Sequence, residues 1–370
     1  MELYDEERRQ LAEEYNRQKK YNNIYSVIIK LLLLVGFFVL SLEYKFYDFI
    51  TNFINNRELQ LIFYILLLYL LFTVIDSLLS YFLSYKLSYQ YDLTKQSTGS
   101  WLGDQMKSFL LNLIVLYPGA RIFMFLKEGW PAIWWLYFSV IASIFIVILT
   151  FLVPVVILPL FFKLEPYPEG SLKDKIRKLI KKAGIAFDEI YEINLSTRIN
   201  YANAAVMGLG QTRKIVLGDK LKEKYSEEEI EAVMAHEIGH HVHHDIFNNI
   251  FIRCLLVLLS SYIIHHLWPV IIDLWGYSGV TAIYSLPLLF IVWGFIFWFF
   301  KPFQLYYDRH RERKADEFAR KIIEDQRAFA CGLAKLADES LSELNYSWYE
   351  LLFKASHPPI GERVEACLEK

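Results

Sequence analysis

The chain has 370 residues, 55% of them hydrophobic, with a mean hydropathy of +0.25 and a formal net charge of −2 at pH 7. Such a composition excludes an ordinary soluble globular protein, and the near-zero charge leaves no basic surface for nucleic acid. Cys254, Cys331 and Cys367 stand far apart with no CxxC spacing, which argues against a disulfide framework or a thiolate metal site and predicts buried, reduced thiols.

The chain opens on MELYDEERRQLAEEYNRQKKYNN, a helix former of mixed charge. It runs into an apolar segment with no small-residue cleavage site, so the first span is expected to be an anchor and not a cleaved leader. Apolar segments near the roughly 20 residues that cross a bilayer occur at residues 24–42, 59–83, 109–126, 133–162, 250–272 and 280–300. Pro118, Gly119 and Arg121 interrupt the third, the weakest of the six spans. The fourth overruns the hydrocarbon, and Pro154 and Pro159 bend it. Lys30 and Asp76 lie close enough to span ends to snorkel or to face the bundle. Arg8, Arg9, Arg17, Lys19 and Lys20 precede the first span, whereas residues 273–279 carry neither Lys nor Arg, so the N-terminus is predicted cytoplasmic. Six spans then bring residues 163–249, and the chain after Lys301, to that same side.

Between the fourth and fifth spans, EGSLKDKIRKLIKKAGI reads as an amphipathic helix closed by Gly184. The runs EIYEINLS, NAAVMG and RKIVLGD have strand character, which together predicts a small helix-plus-sheet unit. Ser226 and Glu229 form a capping box, so a helix should begin there and run through EEEIEAVMAHEIGHHVHHD toward the fifth span.

That helix carries five of the nine histidines. His236 and His240 are four apart and share one face, beside Glu237, the HExxH spacing with which two imidazoles bind one zinc. His241 and His243 turn onto other faces. His244 continues the row and reads either as a group that supports the metal ligands from behind or lines the cleft, or as a solvated histidine. Downstream, DRHRERKADEFARK places Glu312 and Asp316 four apart on a helix. Spacing alone fits a solvated charge pair, or else a third ligand, Glu312, with Asp316 accepting the outer N–H of a ligating imidazole. His265 and His266 read as membrane-interface residues.

HEIGH, RHRERKAD and SHPPIGERVE, taken in that order, resemble the type I CAAX prenyl endopeptidases, a family of membrane zinc proteases. EPYPEGSLKDKI, RINYANAAVMG, RKIVLGDKL and LSYQYDLTKQSTGSWLGDQMKSF match the same pattern, so the resemblance covers most of the chain. It implies Glu312 as third zinc ligand, Asn203 in an edge strand touching the substrate backbone, and His357 and Arg363 at the cleft. His357 would donate to the oxyanion. It also implies a hollow barrel of membrane helices. The chain departs from the family in lacking an additional N-terminal span, an aromatic residue at Ala205 and the acidic insertion that eukaryotic members carry after the strand ending near Asp219. A shorter version of this kind looks prokaryotic, which leaves a prenylated substrate open.

The expected fold is therefore an α-helical integral membrane protein of about six spans with a small α+β zincin-type metallopeptidase domain. Its divisions are residues 1–163 (four spans), 164–249 (HExxH helix), 250–300 (two spans) and 301–370 (third ligand and HPPIGER). One zinc per chain on His236, His240 and Glu312, with Glu237 as general base, would cleave a peptide or protein substrate, lipidated or not, at the cytoplasmic face of a prokaryotic inner membrane. An HtpX-like quality-control protease is the alternative enzyme. A transporter or scaffold with a closed structural zinc site is the alternative outside enzymology. The polar flanks EEEIEA and HHVHHD disfavour a catalytic helix buried in lipid.

Overall fold

The computed structural model describes residues 3–185, 189–208 and 213–369. Among these, six helical stretches are long and apolar enough to cross a membrane: Glu6–Val39, Arg57–Gln90, Thr98–Gly129, Trp134–Phe161, Asp245–Trp275 and Ile283–Ile322. The first four comprise α1 (Glu6–Val39), α3 (Arg57–Ser80) leading into α4 (Lys86–Gln90), α5 (Thr98–Gly129), and α6 (Trp134–Leu152) leading into α7 (Leu158–Phe161). The short α2 (Leu42–Thr51) joins the first two spans. Pro118 does not break α5, and Arg121, which made this span look weak, pairs with Glu58 at 2.9 Å. In the fourth span the residues around Pro154, which has no N–H to donate, form a wider π turn, Val153–Ile157. Lys30 and Asp76 pair with each other at 2.7 Å across α1 and α3. A core of Tyr64, Trp134, Ile264 and Trp268 closes this layer.

The polar unit holds β1 (Leu164–Pro166), α8 (Ser171–Ala183), β2 (Glu189–Ile193), β3 (Ala204–Met207), β4 (Lys214–Gly218) and α9 (Leu221–Lys224). The three expected strands are all present, and Gly184 ends α8 at φ 71° in the left-handed region. β1 adds a fourth strand, too short and too close to proline to stand out in the sequence. The sheet order is β1-β2-β4-β3, with only β2 and β4 parallel, which leaves β3 on an edge.

The capping box forms as expected: Ser226 Oγ accepts from Glu229 N at 3.2 Å, and Ser226 N donates to Glu229 Oε2 at 2.9 Å. It starts α10 (Glu227–Val242), which does not run on into the fifth span. His244 takes a left-handed conformation, φ 57°, and α11 (Asp245–Trp275) starts afresh beyond it. α12 (Leu286–Ile322) carries the sixth span without a break down into the polar unit, followed by α13 (Gln326–Glu339), α14 (Trp348–Phe353) and α15 (Ile360–Leu368). Ile176, Ile215, Ile230, Met234, Ile238 and Phe329 form the second core.

The charged start of α1 reaches this unit. Arg9 Nε pairs with Asp338 Oδ1 at 2.6 Å, Asn16 Nδ2 donates to Leu341 O at 2.7 Å, and Lys20 Nζ meets Glu343 Oε1 at 2.7 Å. All three cysteines are free, but only Cys367 is buried; Cys254 and Cys331 are half-buried, against the expectation that all three would be buried.

Candidate active site

α10 presents His236 and His240 one turn apart, and α12 crosses it closely enough to bring Glu312 between them. The crossing depends on Gly239: a Cβ there would meet Ala315 Cα at 3.1 Å and Ala315 O at 3.2 Å. The two Nε2 atoms face each other at 3.3 Å, and Glu312 offers Oε2 to His236 at 3.3 Å and Oε1 to His240 at 3.4 Å. The three ligand atoms fall within 4.8 Å of one another.

Each imidazole is held from behind. Nδ1 of His236 lies 2.8 Å from Asp316 Oδ1, and Nδ1 of His240 lies 2.7 Å from Asp245 Oδ2. Two carboxylates thus take the outer N–H groups and turn both Nε2 lone pairs toward Glu312. Two lone pairs and a carboxylate converging without a donor between them fit a divalent cation. Electrostatics agree: burial pulls the His236 pKa down, yet the hydrogen bonds to Asp316 and Glu312 outweigh it and raise it to about 9. In the metal-free protein a proton answers the same demand for positive charge.

Asp245 was not singled out by sequence reasoning. The signal lay in HHD, but a helix assumed continuous put His244 in the row instead. The left-handed break at His244 swings the chain so that Asp245, first residue of α11, meets His240, while His244 is exposed with its ring against Phe247 at 6.2 Å. His244 therefore supports neither ligand. His241 turns away as its face requires, hydrogen-bonding the backbone of Val206; burial and the Arg213 charge push its pKa down to about 4.

A cleft of about 290 Å³ opens beside His236, lined also by Glu237, Asn203, Ala204, Tyr346 and His357. Asn203 is exposed immediately before β3, and its carbonyl accepts from Gly218 N at 2.8 Å. A Cβ at Gly218 would lie 2.7 Å from that oxygen, so glycine lets the edge approach. His357, exposed at the mouth, reaches Glu312 Oε2 with Nδ1 at 2.8 Å. Arg363 also borders the cleft, but its guanidinium clamps Asp316 through Nε at 2.8 Å and Nη2 at 2.7 Å. That bidentate contact holds the carboxylate that orients His236, so Arg363 positions the histidine as well as standing at the cleft.

Residues 166–370 match the model of Peptidase family M48, and residues 1–163 match that of the CAAX prenyl protease N-terminal region, described as five membrane helices. The chain is 29% identical over 359 residues to a Bacillus subtilis protein described as the uncharacterized metalloprotease YhfN, covering 96% of this chain and 84% of that one. It is 29% identical over 283 residues to a CAAX prenyl protease 1 homolog of Oryza sativa, covering 75% of this chain and 66% of the relative. The crystal structure of S. mikatae Ste24p superposes with a TM-score of 0.90 at 25% identity, covering 99% of this chain and 90% of that one. Matched by the M48 model over more than half its length, and with its spans and converging donors in place, the chain belongs to Peptidase family M48 and is an integral-membrane metalloendopeptidase.

Proposed function

We propose that the enzyme uses zinc to hydrolyse membrane-associated or CAAX-like peptides, bound in extended form along the edge of β3. The observation that carries this reading is the cleft itself, which sets the start of the β3 edge, Asn203 and Ala204, beside His236 and Glu237 of the HExxH helix, with His236 belonging to the group of three converging metal donors. An edge strand offers main-chain hydrogen bonds to any extended peptide, and this suits a protease. Zinc on His236, His240 and Glu312 would polarise the scissile carbonyl and acidify water at neutral pH. Glu237 takes the proton from the attacking water and hands it to the leaving amine. His357 donates to the carbonyl oxygen as negative charge develops there. Asn203 holds the substrate backbone, Asp316 and Asp245 fix the imidazoles, and Arg363 fixes Asp316.

The membrane part (residues 1–163 and 250–300) and the peptidase part (residues 164–249 and 301–370) act together in this reading. The basic start of α1 docks on the peptidase part, which supports placing both on the cytoplasmic side of a prokaryotic inner membrane.

The test uses purified enzyme in nanodiscs, with metal content by elemental analysis and hydrolysis of a farnesylated CAAX peptide and of casein, for wild type and Glu237→Gln. One zinc per chain in both proteins, with cleavage of the prenyl peptide by wild type alone, is the expected result. Cleavage of casein but not the prenyl peptide would replace the CAAX-like substrate with a broad quality-control role, as in HtpX-like proteases. Full activity in Glu237→Gln would overturn the mechanism, and bound zinc with cleavage of neither substrate would favour a structural site.

A further inference from the structure

At the far end of the bundle, on the order of 30 Å along α11 from Asp245, unsatisfied polar groups gather at the start of α6. Lys127, in the last turn of α5, is only 7% exposed, and Trp134, the first residue of α6, is fully buried. The Lys127 ammonium lies 5.4 Å from the centre of the Trp134 ring. Among the described residues no carboxylate comes within ion-pair distance of it. Its helix neighbours do find partners: Glu128 meets Arg57 at 2.6 Å and Arg121 meets Glu58 at 2.9 Å. Among the described residues, Nε1 of Trp134 and Nδ1 of His265 are buried without a hydrogen-bond partner, and the two rings are 6.2 Å apart.

These groups ask for the same thing. An ammonium and an indole N–H can only donate, and His265 donates through Nδ1 in one tautomer. A ring face offsets part of the cost of a desolvated ammonium but supplies no counter-charge. A group with several acceptor oxygens and a net negative charge satisfies all of them together. The level is also that of lipid headgroups, marked by the two ion pairs on α5 and by Trp130 and Trp135 around Trp134.

We propose that the side chains of Lys127, Trp134 and His265 form a phosphate-binding site, filled by the phosphate of an anionic phospholipid or by soluble phosphate. The absence of an unpaired carboxylate beside Lys127, among the described residues, leaves nothing to receive the ammonium of a choline or ethanolamine headgroup. This selects a headgroup such as phosphatidylglycerol, whose only charge is the phosphate. The site uses no residue of the peptidase cleft and stands whether or not the proposed substrate is right.

The experiment uses the full chain in detergent. Native mass spectrometry counts retained phosphatidylglycerol and phosphatidylcholine, and melting is followed with each lipid and with inorganic phosphate, for wild type, Lys127→Met and a charge control, Lys45→Met, on exposed α2. Wild type and Lys45→Met should retain phosphatidylglycerol over phosphatidylcholine and melt higher with it, and Lys127→Met should bind it roughly tenfold more weakly. A melting response to inorganic phosphate in wild type but not Lys127→Met identifies the soluble source; a response to the lipid alone identifies the headgroup. Equal lipid retention by wild type and Lys127→Met, or no preference between the two lipids together with no effect of phosphate, overturns the site. Should Lys127→Met not fold, Trp134→Phe removes only the indole N–H, and unchanged phosphatidylglycerol affinity in that variant, with no response to phosphate, would overturn it equally.

Discussion

The carboxylate of Asp245 lies 2.7 Å from Nδ1 of His240, across the break between α10 and α11. This contact fixes the tautomer in which Nε2 carries the lone pair, so Asp245→Ala should weaken metal binding by about 10- to 100-fold with the fold retained. Chelator competition measures this directly. His244→Ala, one residue away and exposed, should leave the affinity unchanged.

Gly239→Ala tests the helix crossing. The added methyl meets Ala315 backbone at 3.1 and 3.2 Å, so α12 must move or strain. A loss of about 1–3 kcal/mol in stability is expected, typical of overpacking. Metal content should fall with it, because the same displacement carries Glu312 away from the histidines. Melting with and without metal, alongside elemental analysis, separates the two effects.

The pH dependence follows from His236, whose pKa in the metal-free protein is held near 9 by Asp316 and Glu312 against the pull of burial. An unfolded histidine titrates near 6.5. The raised folded value means this contribution to metal-free stability is fully present below about pH 6.5 and is lost as pH rises through about 9. Metal loading must displace that proton, so metal affinity should climb with pH and level off above about 9. Calorimetric titration in buffers of different ionisation enthalpy counts the released proton; no release at pH 7 would contradict the assignment.

Arg9→Met should loosen the N-terminal helix from α13. It leaves Asp338, which also accepts from Asp5 N at 2.8 Å, with a largely buried charge unpaired, and about 2–3 kcal/mol of stability should go. Ser342, whose carbonyl Arg9 also binds, and nearby Tyr346 line the cleft. KM should therefore rise more than kcat falls, with metal content unchanged.

Periodicity made the spans legible, and cap chemistry placed Ser226 and Gly184 correctly, because both signals are local. His236 and His240 were legible from the four-residue spacing that turns two imidazoles toward one ion, whereas Glu312 rested on the family resemblance, because its own spacing fitted a solvated charge pair equally well. What escaped was set by tertiary geometry. The turn at His244 substitutes Asp245 for His244, and the partner of Arg363 is decided by how α15 packs on α12, which no spacing in HPPIGER encodes. Lys30 and Asp76 are 46 residues apart in sequence, and only the packing of α1 on α3 joins them.

One helix of 37 residues, α12, is at once a membrane span and the carrier of Glu312. Glu312 sits on the order of 40 Å from the start of that rod. A tilt of about 5° pivoting at the far membrane face would thus sweep the carboxylate by ~3 Å, unless Pro302 within the helix absorbed the bend. The ligand set is in this sense mounted on a lever whose fulcrum is the bilayer, and hydrocarbon thickness becomes a mechanical input to the metal centre.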